Sequence, residues 1–247
     1  MKFSGSFVRI VSVVALLGCV VAASAGSVST TPTDRNNKKW WPPRHAAKVA
    51  LAKQGNVDLV FIGDSITFGF ESSGKGVWEK YYAPRHALNL GFGGDKTENV
   101  LWRLENGEID GIAPKLAILM IGTNNTGQRN EKPELICDGV KAICDRLQAK
   151  LPDTKVLILA IFPRSANASD PPRVNNEAAN KLIAGLADNK RIFFLDINSK
   201  FLGADGSLSP DIMPDYLHPQ EKGYGIWAEA MEPTVVKLMG EAATKRN

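Results

Sequence analysis

The sequence predicts an α/β fold, a three-layer α/β/α sandwich around a five-stranded parallel sheet, and two observations carry that expectation. Five short runs, at 57–62, 87–90, 116–121, 156–161 and 192–195, are almost wholly apolar and mostly β-branched or leucine, as strands covered on both faces must be. Between and after them come stretches whose apolar residues recur every three or four positions, the spacing of a helix that buries one face. Strand and helix alternating five times argues for right-handed crossovers in a doubly wound sheet. Any site then belongs at the C-terminal strand ends, beside the switch in strand order.

Lys2 and Arg9 precede an apolar run at 10–23 that closes on Ala23-Ser24-Ala25, the layout of a secretory signal peptide over 1–25. A secreted or periplasmic protein is expected. The run is short of the ~20 apolar residues a spanning helix needs. An alternative reading takes Leu16-Leu17-Gly18-Cys19 as a lipoprotein box, which would tether the protein to a membrane through Cys19, although the apolar run continues past that cysteine. Residues 26–39, rich in Ser, Thr, Asn and Lys, read as a flexible lead-in. One folded domain is expected over 40–247, beginning at Trp40-Trp41-Pro42-Pro43.

Helical patterns fall at about 44–54, 96–106, 133–150, 173–188 and 219–239. The clearest is 133–150, where Ile136, Val140, Ile143, Cys144, Leu147 and Leu151 form one stripe behind Pro133, a residue suited to the first helical position. Cys137 and Cys144 lie seven residues apart in that helix, about 10 Å, which exceeds the roughly 7 Å limit for a disulfide. They are expected to be buried, apolar free thiols. The composition, 44% hydrophobic and 23% charged over 247 residues, suits one globular domain. Losing the leader removes Lys2, Arg9 and no acid, so the net charge falls from +4 to +2. That balance points to no nucleic-acid partner.

Chemistry gathers at three strand ends. Gly63-Asp64-Ser65 follows the first strand, and a serine on such a turn is either a helix cap or an outward-facing nucleophile. Gly91-Phe92-Gly93-Gly94-Asp95 follows the second, where missing side chains let a backbone N–H approach a reacting group, and a side chain at Gly94 would intrude on that space. Gly122-Thr123-Asn124-Asn125 follows the third and offers a side-chain amide. A tetrahedral intermediate of acyl transfer needs two or three such fixed donors.

The base must be one of three histidines. His45 precedes the first strand and reads as a surface residue. His86 begins the second strand, at the far end of the sheet from Ser65, and reads as structural. His218, in Asp215-Tyr216-Leu217-His218-Pro219, follows the last strand and can return to the strand ends. Asp215 can reach its Nδ1 within one local turn and leave Nε2 facing the serine; Asp211 or a backbone carbonyl are the alternatives.

These residues resemble the four ordered blocks of the GDSL/SGNH hydrolase superfamily: Gly63-Asp64-Ser65, Gly94, Asn124 and Asp215-x-x-His218. The stretch HALNLGFGGDKTENVLWRL, with the later PKLAILMIGTNN, is similar to the branch of platelet-activating factor acetylhydrolase Ib catalytic subunits and their secreted bacterial relatives. The resemblance implies a flavodoxin-like fold, Ser65 as nucleophile with Asp215 and His218 completing the triad, and Ser65, Gly94 and Asn124 as oxyanion donors. It implies no metal or organic cofactor, and it leaves a homodimer open. The leader and residues 68–78 depart from the eukaryotic members, which shifts the expected substrate toward small acyl esters, acetylated carbohydrates among them. Other readings are an acyltransferase or thioesterase on the same site, or a non-catalytic carbohydrate-binding protein on a hydrolase fold. Three scattered histidines offer no spaced ligand set for a metallohydrolase.

Asn124 and Asn167 each begin an Asn-x-Ser/Thr sequon. After expression through a eukaryotic secretory pathway, peptide mapping should find glycan on Asn167 alone or nowhere. A glycan on Asn124 would place that residue on an open surface and contradict its assignment as an oxyanion donor.

Overall fold

The computed structural model describes Met1, Lys2 and residues 26–242. Apart from Met1 and Lys2, the expected leader and its Cys19 lie outside the described residues. The strands are β1 (Leu59–Gly63), β2 (Ala87–Gly91), β3 (Leu116–Met120), β4 (Lys155–Leu159) and β5 (Ile192–Leu195). They pair in parallel in the order β2-β1-β3-β4-β5. The chain leaves β1 to one side for β2 and crosses back to the other for β3, so the switch point lies between β1 and β3.

The helices are α1 (Trp41–Ala52), α2 (Ser65–Phe68), α3 (Lys75–Tyr81), α4 (Thr97–Glu105), α5 (Thr123–Arg129), α6 (Pro133–Lys150), α7 (Pro171–Ala184) and α8 (Glu221–Met239). Alternate strand residues point to opposite faces, and the core divides accordingly. Val60, Ile62, Leu90, Leu119 and Ile158 pack with α1, α4, α6 and α7. Leu59, Phe61, Ile118, Met120 and Leu159 pack with α3 and α8. The sandwich and its five parallel strands are those the apolar runs predict. Cys137 and Cys144 are free, as expected, but only Cys144 is buried, Cys137 being half-buried, and burial pushes the Cys144 thiol up to about 12.

Three expectations need correction. The apolar run at 156–161 outlasts its strand because Asn180 takes over the backbone of Ile161, accepting from its N–H at 2.7 Å and donating to its carbonyl at 2.9 Å. His45 is half-buried: its ring stacks on Trp41 at a centroid distance of 5.6 Å and meets Trp102 at 5.0 Å. Burial, with the nearby Arg103 charge, holds its pKa below the ordinary histidine value. The lead-in is fixed rather than loose, since Ser29 is fully buried and bonded to Glu131, and Arg35 bonds Asp95. Its polar composition resembles a linker because the partners of those polar groups lie far along the chain. The short helices α2, α3 and α5 have no sequence stripe long enough to announce them.

One buried charge cluster locks the β2–α4 loop onto the sheet. Asp95, fully buried, accepts from Arg103 Nε at 2.9 Å, from Trp41 Nε1 at 2.9 Å and from Arg35 at 3.0 Å. Arg103, also fully buried, pairs with Glu108 and lies 4.1 Å from the centroid of the Phe92 ring. Burial pushes the Asp95 carboxyl upward, against the pull of Arg103, Trp41 and Arg35. Removing the guanidinium would strand the buried Glu108 carboxylate and leave Asp95 only Arg35 and Trp41, a loss of about 3–5 kcal/mol. Arg103→Met should therefore lower Tm by roughly 6–20 °C for a domain of this size. Thermal melts that coincide with wild type would show that the cluster carries no such burden.

Candidate active site

The turn between β1 and α2 is built around Asp64. Its carboxylate caps α2 by accepting from the Ile66 N–H at 3.0 Å, which ends the strand and sets Ser65 as the first helical residue. Tyr224 of α8 donates to the Ile66 carbonyl at 2.7 Å, and Asn89 of β2 donates to the Thr67 carbonyl at 2.9 Å. The serine is thus carried on a turn tied both to α8 and to the neighbouring strand β2.

Ser65 Oγ stands 2.9 Å from His218 Nε2, and His218 Nδ1 stands 2.6 Å from Asp215 Oδ2. The second Asp215 oxygen accepts from the backbone N–H of His218 at 2.7 Å and of Leu217 at 3.1 Å. Three bonds from one local loop therefore fix the carboxylate. Burial raises the Asp215 pKa, but the His218 ring and these backbone donors outweigh it and leave it below the ordinary value. With Asp215 ionised at Nδ1, the imidazole carries its proton there and presents Nε2 as an acceptor to the serine. Asp211, the alternative, makes no bond to the ring, its N–H going instead to Ser209 Oγ. The loop is anchored where Tyr216, at φ 54°, accepts from the Ser165 N–H at 2.8 Å.

Asn124, on α5 after β3, is nearly buried. It donates through Nδ2 to the Asp95 carbonyl at 3.0 Å and accepts through Oδ1 from Gln128 at 3.1 Å. Those partners fix which end of the amide faces which way. An amide nitrogen has two protons, so one N–H is left for a substrate oxygen. Gly94 has φ +72°, a left-handed conformation that favours glycine. A Cβ there would meet Arg35 Nη1 and Nη2 at 3.1 Å, so the backbone conformation favours glycine and Arg35 crowds any side chain at that position. Among the described residues nothing accepts from the Gly94 N–H.

The structure therefore joins Ser65, His218 and Asp215 directly and links Gly94 to Asn124 through Asp95. His86, at the opposite strand end, pairs with Asp58 at 3.0 Å. Among the described residues, no group of three or more His, Cys, Asp or Glu side chains is gathered to hold a metal ion, and no helix is long and apolar enough to cross a membrane.

A model of the GDSL-like lipase/acylhydrolase family matches residues 61–226. Subunit alpha1 of human platelet-activating factor acetylhydrolase IB is 37% identical over 202 residues, 81% of this chain and 85% of its own length. Among solved structures, a GDSL-like lipase from Bacteroides thetaiotaomicron aligns with a TM-score of 0.59 at 21% identity, over 81% of this chain and 97% of that one. An acetylxylan esterase from Geobacillus stearothermophilus aligns with a TM-score of 0.59 at 19% identity, over 78% and 98%. At those identities the two structures speak for the fold.

Asp64 is a residue the sequence reading passed over. Burial pushes its carboxyl up to about 7, against the pull of the Ile66 N–H and of His218. Between the ordinary aspartate value of 3.8 and about 7 the unfolded chain releases this proton while the folded chain keeps it. The contribution to stability is thus present below that window and lost as pH rises through it. Asp64→Asn, which cannot titrate, should lose less stability than wild type across the same window in denaturant titrations. Parallel profiles for the two proteins would show that Asp64 does not titrate there.

Proposed function

The chain belongs to the GDSL-like lipase/acylhydrolase family and is a carboxylic ester hydrolase, and from that premise we propose that it removes short acyl groups, acetyl foremost, through an acyl-serine on Ser65. The observation that supports this most is the continuous chain Ser65 Oγ, His218 Nε2, His218 Nδ1, Asp215 Oδ2, with links of 2.9 and 2.6 Å. His218 takes the Ser65 proton as Oγ attacks the ester carbonyl, then gives it to the leaving alkoxide as the C–O bond breaks. A water, deprotonated by the same imidazole, attacks the acyl-enzyme, and the proton returns to Ser65 as the acid leaves.

The N–H groups of Ser65 and Gly94 and the free N–H of Asn124 serve the oxyanion in both steps. The acetylhydrolase name of its relatives favours an acetyl group, and the expected leader favours an extracellular or periplasmic ester such as an acetylated carbohydrate. Transfer to an alcohol other than water uses the same acyl-enzyme and is the second reading.

A panel of nitrophenyl esters from acetate to octanoate, run beside acetylated sugars, tests both substrate and mechanism. Activity should be greatest on acetate, and Ser65→Ala should lower kcat by about 10⁴ to 10⁶. Asn124→Ala should lower kcat by about 10² to 10³ at nearly constant KM, because its charged partner exists mainly in the transition state. Asp215→Asn should cost up to about 10⁴ by disturbing the His218 tautomer. If Asn124→Ala raised KM alone, that residue would be a substrate-binding group and its oxyanion role would be wrong.

A further inference from the structure

Residues 27–39 lie ahead of α1 and outside the 61–226 family match, yet they touch both loops that supply the oxyanion donors. Arg35, whose side chain is 15% exposed, donates through Nη1 to the Gly93 carbonyl at 2.6 Å and to Asp95 Oδ1 at 3.0 Å. Those acceptors sit on either side of Gly94, and the guanidinium occupies the space in which a Gly94 side chain would stand. The next bond in the series runs from Asn124 Nδ2 to the Asp95 carbonyl. One cation therefore braces the residues flanking one donor, and through Asp95 it braces the support of the other.

The far end of the segment is fastened as firmly. Ser29 Oγ donates to Glu131 Oε1 at 2.5 Å, and the Ser29 carbonyl accepts from Thr97 Oγ1 at 2.9 Å. Asn125, the neighbour of Asn124, donates to Glu131 Oε2 at 2.8 Å and to Thr97 Oγ1 at 3.0 Å. Midway, the Thr33 N–H donates to the Glu98 carbonyl at 3.1 Å, and Asn99 donates to the Thr33 carbonyl at 2.9 Å. Gly139 of α6 makes room for the passage, since a Cβ there would come within 2.9 Å of the Ser29 carbonyl. Among the described residues, none of these bonds reaches Ser65, Asp215 or His218.

We propose that residues 27–39 form a clamp that preorganises the oxyanion donors, with Arg35 as its positioning residue. The reasoning rests on the ester-hydrolase reading above. Oxyanion stabilisation requires dipoles that are already fixed when charge develops, whereas Gly91-Phe92-Gly93-Gly94 has the backbone freedom of a glycine-rich loop. A guanidinium bonded to both flanks of Gly94 removes that freedom without touching the substrate.

The test uses the full chain as expressed, with kcat counted per folded molecule by active-site titration. Arg35→Ala should lower kcat on nitrophenyl acetate by about 10- to 100-fold, less than outright loss of a donor, with KM within about twofold. The pH profile of kcat/KM should keep its shape, because the Ser65, His218 and Asp215 relay is untouched. Arg35→Lys should recover part of the loss, since Nη1 alone meets both acceptors and an ammonium also has donors for them, although it lacks the planar, pre-organised guanidinium head. Ser29→Ala, at the other end of the clamp, should show a smaller fall of the same kind, and Lys141→Ala, an exposed residue paired with Asp145, should match wild type. Arg35→Ala with wild-type kcat per folded molecule, beside an inactive Ser65→Ala, overturns the clamp and leaves ester hydrolysis standing. Full activity in Ser65→Ala overturns the hydrolase reading itself. A loss in Arg35→Ala that appears only in KM, or with a shifted pH profile, also overturns the clamp.

Discussion

The structure depends on the burial of Asp95. A carboxylate with no exposure at all is costly unless every lone pair is met, and here the donors come from three separate parts of the chain. Arg35 comes from the segment before α1, Trp41 from α1 itself and Arg103 from α4. The requirement to satisfy one buried charge thus draws these segments onto the strand ends. The backbone of the same residue does the rest, its carbonyl holding the Asn124 amide and its N–H closing a turn on the Phe92 carbonyl at 3.2 Å. A residue that takes no part in the proposed chemistry sets the geometry of two that do.

The two halves of the site differ in how they are held. His218 and Asp215 have side chains 40% and 56% exposed, and their order comes from a short loop that closes on itself through three bonds to one carboxylate. Exposed ion pairs add little to stability, so the Asp215–His218 contact is better understood as a setting of tautomer and direction than as a source of folding energy. The donor side is the reverse, with Asn124, Asn125, Thr97 and Asp95 all buried. Fixed dipoles in a water-excluded setting are what a developing oxyanion requires, whereas a base that passes protons to and from water benefits from access.

How much of this was legible in the sequence depends on the range of the interaction. The sheet was readable because buried strands carry their own signal, five apolar runs of strand length. The Ser65–His218–Asp215 contact was readable because Ser65 stands directly after a strand and Asp215 is only three positions from the ring it meets, and Gly94 and Asn124 drew notice because they follow strands in residue types suited to acyl transfer. The lead-in was misread for the opposite reason. Arg35 and Asp95 are 60 residues apart and Ser29 and Glu131 are 102 apart, so nothing local marks Ser29 as buried or Arg35 as paired. His45 was misread likewise, since Trp102, which covers it, lies on α4. Asp64 was visible as a letter of the serine motif, but its full burial, and hence its raised pKa, follows only from the layers that close over it.

The loops of the site are held from two directions. The segment before α1 reaches the loops of Gly94 and Asn124 and stops short of Ser65. Helix α8 reaches the turn of Ser65, where the Tyr224 hydroxyl meets the Ile66 carbonyl and lies so near Gly69 that a Cβ there would fall 2.0 Å from it. The buried phenol has its pKa raised by burial, so it remains a neutral donor and holds α2 without adding a charge beside Ser65. The parallel sheet delivers the serine, glycine and asparagine to one edge, but it cannot fix their mutual distances, because each sits on a separate loop. Those distances are fixed by what is laid across the loops from outside the sheet, on one side by the segment before α1 and on the other by α8.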